Sequence, residues 1–534
     1  MQASVQKIKN ILSGAPATWI ILTTILLGRA IQLIYFYNIM VDGMYQTVAM
    51  QNFVHGHGFS LGEVDINNFS KINYSLLNNW PPGYSLLLSP VYIITGHNYI
   101  LSGIITDLLF ALLLIYFSRK VLFLLNNPKW AVNIFTILTG SYLYWFYKIC
   151  SSDASAIVFF LMGIYYCIQL ISEKHVTPGS ITGITLPLAA AGMIKYMFIP
   201  LSFIIPVYIY LASPKEKAIK QASLIICAIL AFLFGLMLYW LGNESNSVAY
   251  ISSTERGFFP ENLLELWPVI PSSILNHSTL IETAGLKPQL SALVLAAYRF
   301  LSVTGLAILL IYLFRKSPDS EKNQLHHFLK ISSFIILALT LELSVLSLFV
   351  GKEHILPGWE WTYIQEARYF GLANVLIHIS VFSIAIANRK KFFLLSIILI
   401  LAMIPDMLRG QLFIANRISH RKTETYNWQI ELAIQKFADR IVRNAKLKNE
   451  NNPLVVSGTS YYVNYRIALY AHIPALNNLN ILTTEETAAK NKNATLILAI
   501  EKSKSDALTP IKEHWQIQFE GEQNGFYFYT ANAK

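Results

Sequence analysis

The stretch TWIILTTILLGRAIQLIYFY, from Thr18 to Tyr37, carries a single charged side chain, Arg29, in twenty residues. At ~1.5 Å per residue such a helix reaches ~30 Å, the depth of a bilayer's hydrocarbon core. Lys7 and Lys9 precede it, and the run is long enough to stay in the membrane rather than serve as a cleavable signal. Comparable apolar runs recur at about 98–118, 130–148, 154–171, 180–194, 197–212, 222–241, 289–314, 328–350, 370–388 and 392–408, giving about eleven expected transmembrane helices. Composition agrees. Of 534 residues 54% are hydrophobic and 13% charged, where a soluble chain carries about 25% charged. Mean hydropathy is +0.45. These values exclude a soluble globular, disordered, coiled-coil or collagen-like chain. The three cysteines lie in or beside apolar runs and form no CxxC pair.

The net charge of +11 could suggest nucleic acid, but the basic residues sit in short clusters between apolar runs. One set of loops holds Lys7/Lys9, Arg119/Lys120/Lys129, Lys174, Lys215/Lys217/Lys220, Arg315/Lys316/Lys322 and Arg389/Lys390/Lys391, while the opposite set holds scattered single cations. By the positive-inside rule the N-terminus is cytoplasmic. Residues 38–97, 243–288 and 351–368 then lie outside, together with the tail. From about His420 to Lys534 the chain turns polar and patterned. A helix over Tyr426–Ala445 and strands at 453–457, 494–500, 515–519 and 525–529 are predicted. The expected organisation is an all-α polytopic membrane domain over 1–410, with interfacial helices in 38–97 and a second outer segment at 243–288. A small C-terminal α/β soluble domain follows over 420–534.

The first outer segment is the richest in chemistry. Asp42 follows the first span almost at once. Met44–Val54 reads as a helix lying on the interface, with Tyr45, Ala49 and Phe53 at i, i+4 spacing and Gly56 and Gly58 at its end. A polar stretch with Glu63 and Asp65 leads to Trp80-Pro-Pro-Gly-Tyr84 and a short apolar helix from Ser85 to about Thr95, too short to span.

This layout resembles the GT-C membrane glycosyltransferases, and more narrowly the branch of protein O-mannosyltransferases and the lipid A aminoarabinose transferase. The likeness rests on the spacing of Asp42, Tyr45, Ala49 and Gly56, followed by Trp80-Pro-Pro-Gly-Tyr84; on the turn Lys195-Tyr196 between two short spans, where the family usually has Arg; on Arg368-Tyr369 at the outer end of a late span; and on the soluble α/β tail. The resemblance implies a hexosyl- or pentosyltransferase of the bacterial inner membrane that uses a polyprenyl-phosphate sugar donor, with inversion at the anomeric carbon. The acceptor would be a glycan, a lipid or a protein. Donor lipid would enter from the surrounding membrane lipid, and no nucleic acid partner is implied.

Elementary chemistry asks for compatible parts. An acceptor hydroxyl needs a carboxylate within ~3 Å to take its proton, and Asp42 is the candidate base. The departing phosphate gains charge that a fixed cation stabilises, for which Lys195 and Arg368 are the candidates. Tyr45, Tyr196, Tyr369, Glu63 and Asp65 are candidate substrate contacts. A divalent metal could replace part of this cationic role, with Glu63 or Asp65 as ligand.

Plainer roles stand beside these. Asp42 could cap a helix beginning at Gly43, and His55 and His57 read as solvated loop histidines. Arg29, Gln32, Asp107, Arg299 and Glu342 read as interhelical pairs. Lys148 and Asp153 read as facing water, and Pro260–Pro268 as an interfacial helix. A transporter or flippase of lipid-linked sugars, or a non-catalytic envelope-assembly protein, are the rival functions.

Overall fold

In chain order the elements are α1 (Gln2–Ser13), α2 (Ala15–Tyr35), α3 (Val41–Val54), β1 (Ser60–Asp65), β2 (Asn68–Leu76), α4 (Gly83–Ile94), α5 (Tyr99–Leu124) and α6 (Lys129–Gly140). Then come α7 (Ser152–Glu173), α8 (Pro178–Ile194), α9 (Phe198–Ala212), α10 (Lys217–Gly242), α11 (Gln324–Ser347), β3 (Glu353–Leu356), β4 (Trp359–Trp361) and α12 (Gly371–Ala387). The last are α13 (Asn427–Lys448), β5 (Leu454–Gly458), α14 (Tyr461–Ala471), β6 (Ala475–Leu476), α15 (Glu485–Lys490), β7 (Thr495–Glu501), α16 (Thr509–His514), β8 (Trp515–Gln523) and β9 (Phe526–Ala533). This computed structural model describes residues 2–35, 41–78, 80–140, 152–213, 215–242, 257–260, 324–349, 353–356, 359–361, 367–387, 427–448, 452–471, 473–476, 478–523 and 525–534. The chain divides into a helical unit (residues 1–35, 103–242 and 250–418) and a sheet unit (36–102, 243–249 and 419–534).

In the helical unit, helices fall at each expected span position within the described residues, the third as far as Gly140. The expected spans 289–314 and 392–408, Arg299 and Lys148 lie outside those residues, as does nearly all of the expected helix 260–268. Among the described residues five helices are long and apolar enough to cross a membrane: α2, α5, α7, α10 and α11. α8, α9 and α12 are apolar but shorter. The protein is a multi-pass membrane protein.

α7 and α8 form a tight antiparallel hairpin. α8 opens on a capping box, in which Thr177 Oγ1 accepts from the Ser180 N–H and Ser180 Oγ accepts from the Thr177 N–H, with Pro178 at the first helical position. Glycines then let the two helices approach. A Cβ on Gly163 would lie 2.6 Å from Leu188, and one on Gly183 would lie 3.2 Å from the Tyr166 ring. Elsewhere Arg29 donates to Gln32 Oε1 at 2.8 Å and lies within electrostatic reach of Asp107, a structural use of polar groups inside the membrane.

The sheet unit holds a seven-stranded sheet in the order β2-β1-β6-β5-β7-β9-β8. β5 pairs in parallel with β6 and β7, β9 runs antiparallel to β7 and β8, and the predicted C-terminal strands are all present. Two expectations need correcting. Residues 60–76, read as a polar stretch of the membrane domain, form an antiparallel hairpin that joins the C-terminal sheet through β1 and β6, with Glu63 opposite Ala475. The C-terminal α/β structure is thus built with strands from the first outer segment.

The physical reason lies in Asn491, which is 5% exposed. Its Oδ1 accepts from the Phe69 N–H at 2.7 Å and its Nδ2 donates to the Ile66 carbonyl at 3.0 Å, so one side chain holds the hairpin's turn. Phe69 enters the core and stacks parallel to Trp515 at 6.3 Å, beside Val64, Leu482 and Leu496. At the other end of the sheet, a Cβ on Gly458 would sit 2.0 Å from the Ala499 carbonyl oxygen, which accepts from the Thr459 N–H.

Asn491→Ala strips the buried Phe69 N–H of its acceptor, a loss of about 1–3 kcal/mol. Limited proteolysis of the purified full-length protein should then cleave within residues 60–76 faster than in wild type. Equal resistance would mean that Asn491 does not hold the hairpin.

Candidate functional site

The candidate residues fall in both units. In the helical unit the antiparallel run of α7 and α8 puts the start of one beside the end of the other. Lys195 closes α8 in an extended conformation, its N–H donating to the Ala191 carbonyl, and a short turn through Tyr196 and Met197 starts α9. There Lys195 Nζ forms an ion pair with Asp153 Oδ1, in the first turn of α7. The two side chains are 16% and 5% exposed. Asp153 is therefore a buried partner of Lys195, which corrects the expectation that it faces water. An ammonium this deep in an apolar unit needs a matching charge.

Lys195 Nζ also lies 4.9 Å from the centroid of the Tyr369 ring, on a single 3₁₀ turn, Ala367–Phe370, that leads into α12. Arg368 precedes Tyr369 on that turn, so the backbone that carries it comes to the Lys195 corner; the Arg368 side chain lies outside the described residues. Tyr196 is partly buried beside Lys195, and burial pushes its phenol up to about 12.

In the sheet unit α3 starts at Val41, so Asp42 occupies the helix's first turn, where unpaired N–H groups favour a carboxylate. It is partly exposed. α3 does not have the exposed face of an interfacial helix: Met44, Tyr45, Gln46, Thr47, Ala49 and Met50 are all buried, because β1, α4 and α14 pack against it. Tyr45 stacks on Trp80 at 5.3 Å and meets Tyr465 edge-on at 5.1 Å. Ser85 Oγ donates to the Gln46 carbonyl at 2.8 Å. The Asp-to-Tyr spacing and the Trp-Pro-Pro-Gly-Tyr turn, far apart in sequence, thus meet through Tyr45 and Trp80.

Glu63 is exposed on β1. Asp65 Oδ1 accepts from the Asn67 N–H at 2.9 Å, and Lys71 lies 3.6 Å from its other oxygen. The backbone N–H first, then Lys71, hold this carboxyl below the usual range. Asp65 is engaged in the hairpin turn. Among the described residues no group of three His, Cys, Asp or Glu side chains could hold a metal ion. Sequence reading missed Asp153 as the partner of Lys195; its signal was a lone carboxylate at the start of an apolar helix whose neighbour ends in a lone lysine.

The chain is similar to ArnT from Cupriavidus metallidurans bound to undecaprenyl phosphate, at 12% identity and TM-score 0.49 over 97% of this chain and 98% of that one. It is similar to the Archaeoglobus fulgidus oligosaccharyltransferase AglB in complex with an inhibitory peptide and a dolichol-phosphate, at 12% identity and TM-score 0.44 over 96% and 74%. It is also similar to the mycobacterial arabinofuranosyltransferase AftD, at 10% identity and TM-score 0.52, over 98% of this chain and 40% of that chain. The chain shares the fold of AftD. No protein-family model and no curated protein matches the sequence.

The Lys195–Asp153 pair is open to a direct test. Lys195→Met removes the ammonium paired with the buried Asp153 carboxylate and should cost about 3–5 kcal/mol. Adding Asp153→Asn should recover most of that loss. Thermal unfolding of the two single variants and the double variant in detergent measures the coupling; additive losses would mean that the two side chains do not form a pair.

Proposed function

We propose that this chain is a membrane glycosyltransferase that moves a sugar from a polyprenyl-phosphate donor to an acceptor hydroxyl or amine outside the bacterial inner membrane. The observation that carries the reading is the Lys195 corner. In a chain of GT-C fold, one ammonium is fixed between a buried carboxylate and an aromatic ring, next to the backbone of a second cation, Arg368. A rigidly held cation stabilises charge as it develops on a leaving phosphate, without reorganising at the moment of reaction.

In this reading Lys195 and Arg368 hold the donor phosphate, Arg368 by two parallel hydrogen bonds and Lys195 as a point charge. Tyr369 and Tyr196 shape the head-group position. Asp42 takes the acceptor's proton as its oxygen or nitrogen attacks the anomeric carbon, and inversion follows from attack opposite the departing phosphate. Tyr45 positions the helix that bears Asp42. Glu63, exposed on β1, contacts substrate more readily than Asp65, whose carboxylate is engaged by its own turn. The N-terminus is cytoplasmic, the sheet unit faces outward, and the membrane domain has eleven spans.

Asp42→Asn keeps the size and the helix-start preference of the residue but cannot accept a proton. Transfer should fall by about 10²- to 10⁴-fold, while the amount of protein in the membrane stays at the wild-type level. Mass spectrometry of surface glycans, in cells whose own copy is deleted and replaced by the variant, reads this directly. Glycans indistinguishable from those made with wild type would remove Asp42 as the base.

A further inference from the structure

The sheet unit contains a cavity of about 450 Å³, a size common to small-ligand sites. Two helix ends build its rim in the same way. α3 closes through Gly56 at φ +86°, with the His57 N–H donating to the Asn52 carbonyl at 2.8 Å. α4 closes through Gly96 at φ +65°, with the His97 N–H donating to the Tyr92 carbonyl at 2.9 Å. Both are left-handed helix caps that need glycine's freedom, and each delivers histidine to the rim. The His55 and His97 rings lie 5.9 Å apart.

One wall is aromatic. The His57 ring stacks on Tyr74 of β2 at 4.0 Å and 7°. Tyr74 lies across Gly62, its cross-strand partner; a Cβ there would come within 2.9 Å of Ile72 and 3.3 Å of the Tyr74 ring. The lack of a side chain at Gly62 is what lets the ring lie flat over the strand. Tyr465 of α14 contributes to the opposite side.

The polar lining is neutral. Among the described residues no Lys, Arg, Asp or Glu lines the cavity. Gln51, 8% exposed, and Tyr92, fully buried, both line it. The Gln51 side chain lies near the Tyr92 hydroxyl without the geometry of a hydrogen bond, and neither its Nε2 nor the Tyr92 hydroxyl is satisfied by the protein. Buried polar groups are nearly always paired, so two such groups on one cavity wall mark a position that recognises hydrogen-bonding atoms.

We infer that this cavity is a binding subsite for a neutral saccharide, which in the glycosyltransferase reading above is part of the acceptor. The combination selects against other classes. Phosphates, carboxylates and nucleotides call for the cationic donors that the lining lacks. An acyl chain would bury the amide and hydroxyl unpaired. A sugar ring presents a C–H face, which suits the exposed edge of the Tyr74 ring and the imidazoles at the rim. It also presents a fringe of hydroxyls, each donor and acceptor, for Gln51, Tyr92 and the histidines.

The test is saturation-transfer NMR on the full-length protein, held in a detergent without a sugar head group. The probes are methyl β-glucoside, methyl β-galactoside, methyl β-N-acetylglucosaminide and cellobiose, with glucose 6-phosphate as the anionic control. At least one neutral glycoside should bind with a millimolar Kd, and glucose 6-phosphate should neither bind nor compete. Gln51→Leu and Tyr92→Phe, which preserve shape, and Tyr74→Ala should each weaken binding about tenfold. Absence of binding by all four neutral probes, or affinities in all three variants equal to wild type, would overturn the subsite. Neutral-sugar binding by the wild-type protein, in cells whose surface glycans are unchanged when its gene is deleted, upholds the subsite and removes only the glycosyltransferase reading.

Discussion

A lysine ammonium buried in an apolar helical unit is stable only when an opposite charge meets it, and the Lys195–Asp153 pair meets that condition at the mouth of one helical hairpin. Most of what distinguishes the helical unit follows from holding it. The glycines at 163 and 183 bring α7 and α8 close enough for the start of one to face the end of the other. The extended backbone at Lys195 ends α8 and turns its side chain to Asp153, and Tyr369 covers the ammonium from the turn before α12. A membrane chain that maintains such a pair holds a cation at a fixed place, which is what chemistry on a phosphate-linked lipid requires.

The sheet unit is organised by a different constraint, the satisfaction of backbone groups. β1 and β2 gain a place in a seven-stranded sheet because Asn491 pairs the N–H of Phe69 and the C=O of Ile66 at the hairpin's turn, and because Phe69 finds Trp515. The same hairpin positions Tyr74 above Gly62, while α3 carries Asp42 at one end and His55 at the other. One short outer segment thereby supplies the candidate base, an aromatic wall and a strand pair of the sheet.

Periodic features were legible in the sequence and pairings were not. Apolar runs place α2, α5, α7, α10 and the buried strands β5 and β7, and polar–apolar alternation places β8 and β9, because each is decided by neighbours within one element. The hairpin at 60–76 escaped because its buried residues, Leu61, Val64 and Phe69, are too sparse to alternate cleanly, although Asp65 and Asn68 each accept a backbone N–H two residues on, as turns do. α3 was read as interfacial from Tyr45, Ala49 and Phe53; burial on its other sides depends on α4 and α14, which no local pattern announces. Asp153 and Lys195 lie 42 positions apart, so their pairing depends on how two helices pack rather than on spacing.

The claim on which the account turns is that the Lys195 corner receives the donor's phosphate. Native mass spectrometry of the full-length protein with a polyprenyl phosphate measures this without knowledge of the sugar. Wild type should retain one lipid per chain, and the Lys195→Met/Asp153→Asn double variant, whose core stays neutral, should retain it about tenfold more weakly. Equal retention by the two proteins would contradict the account.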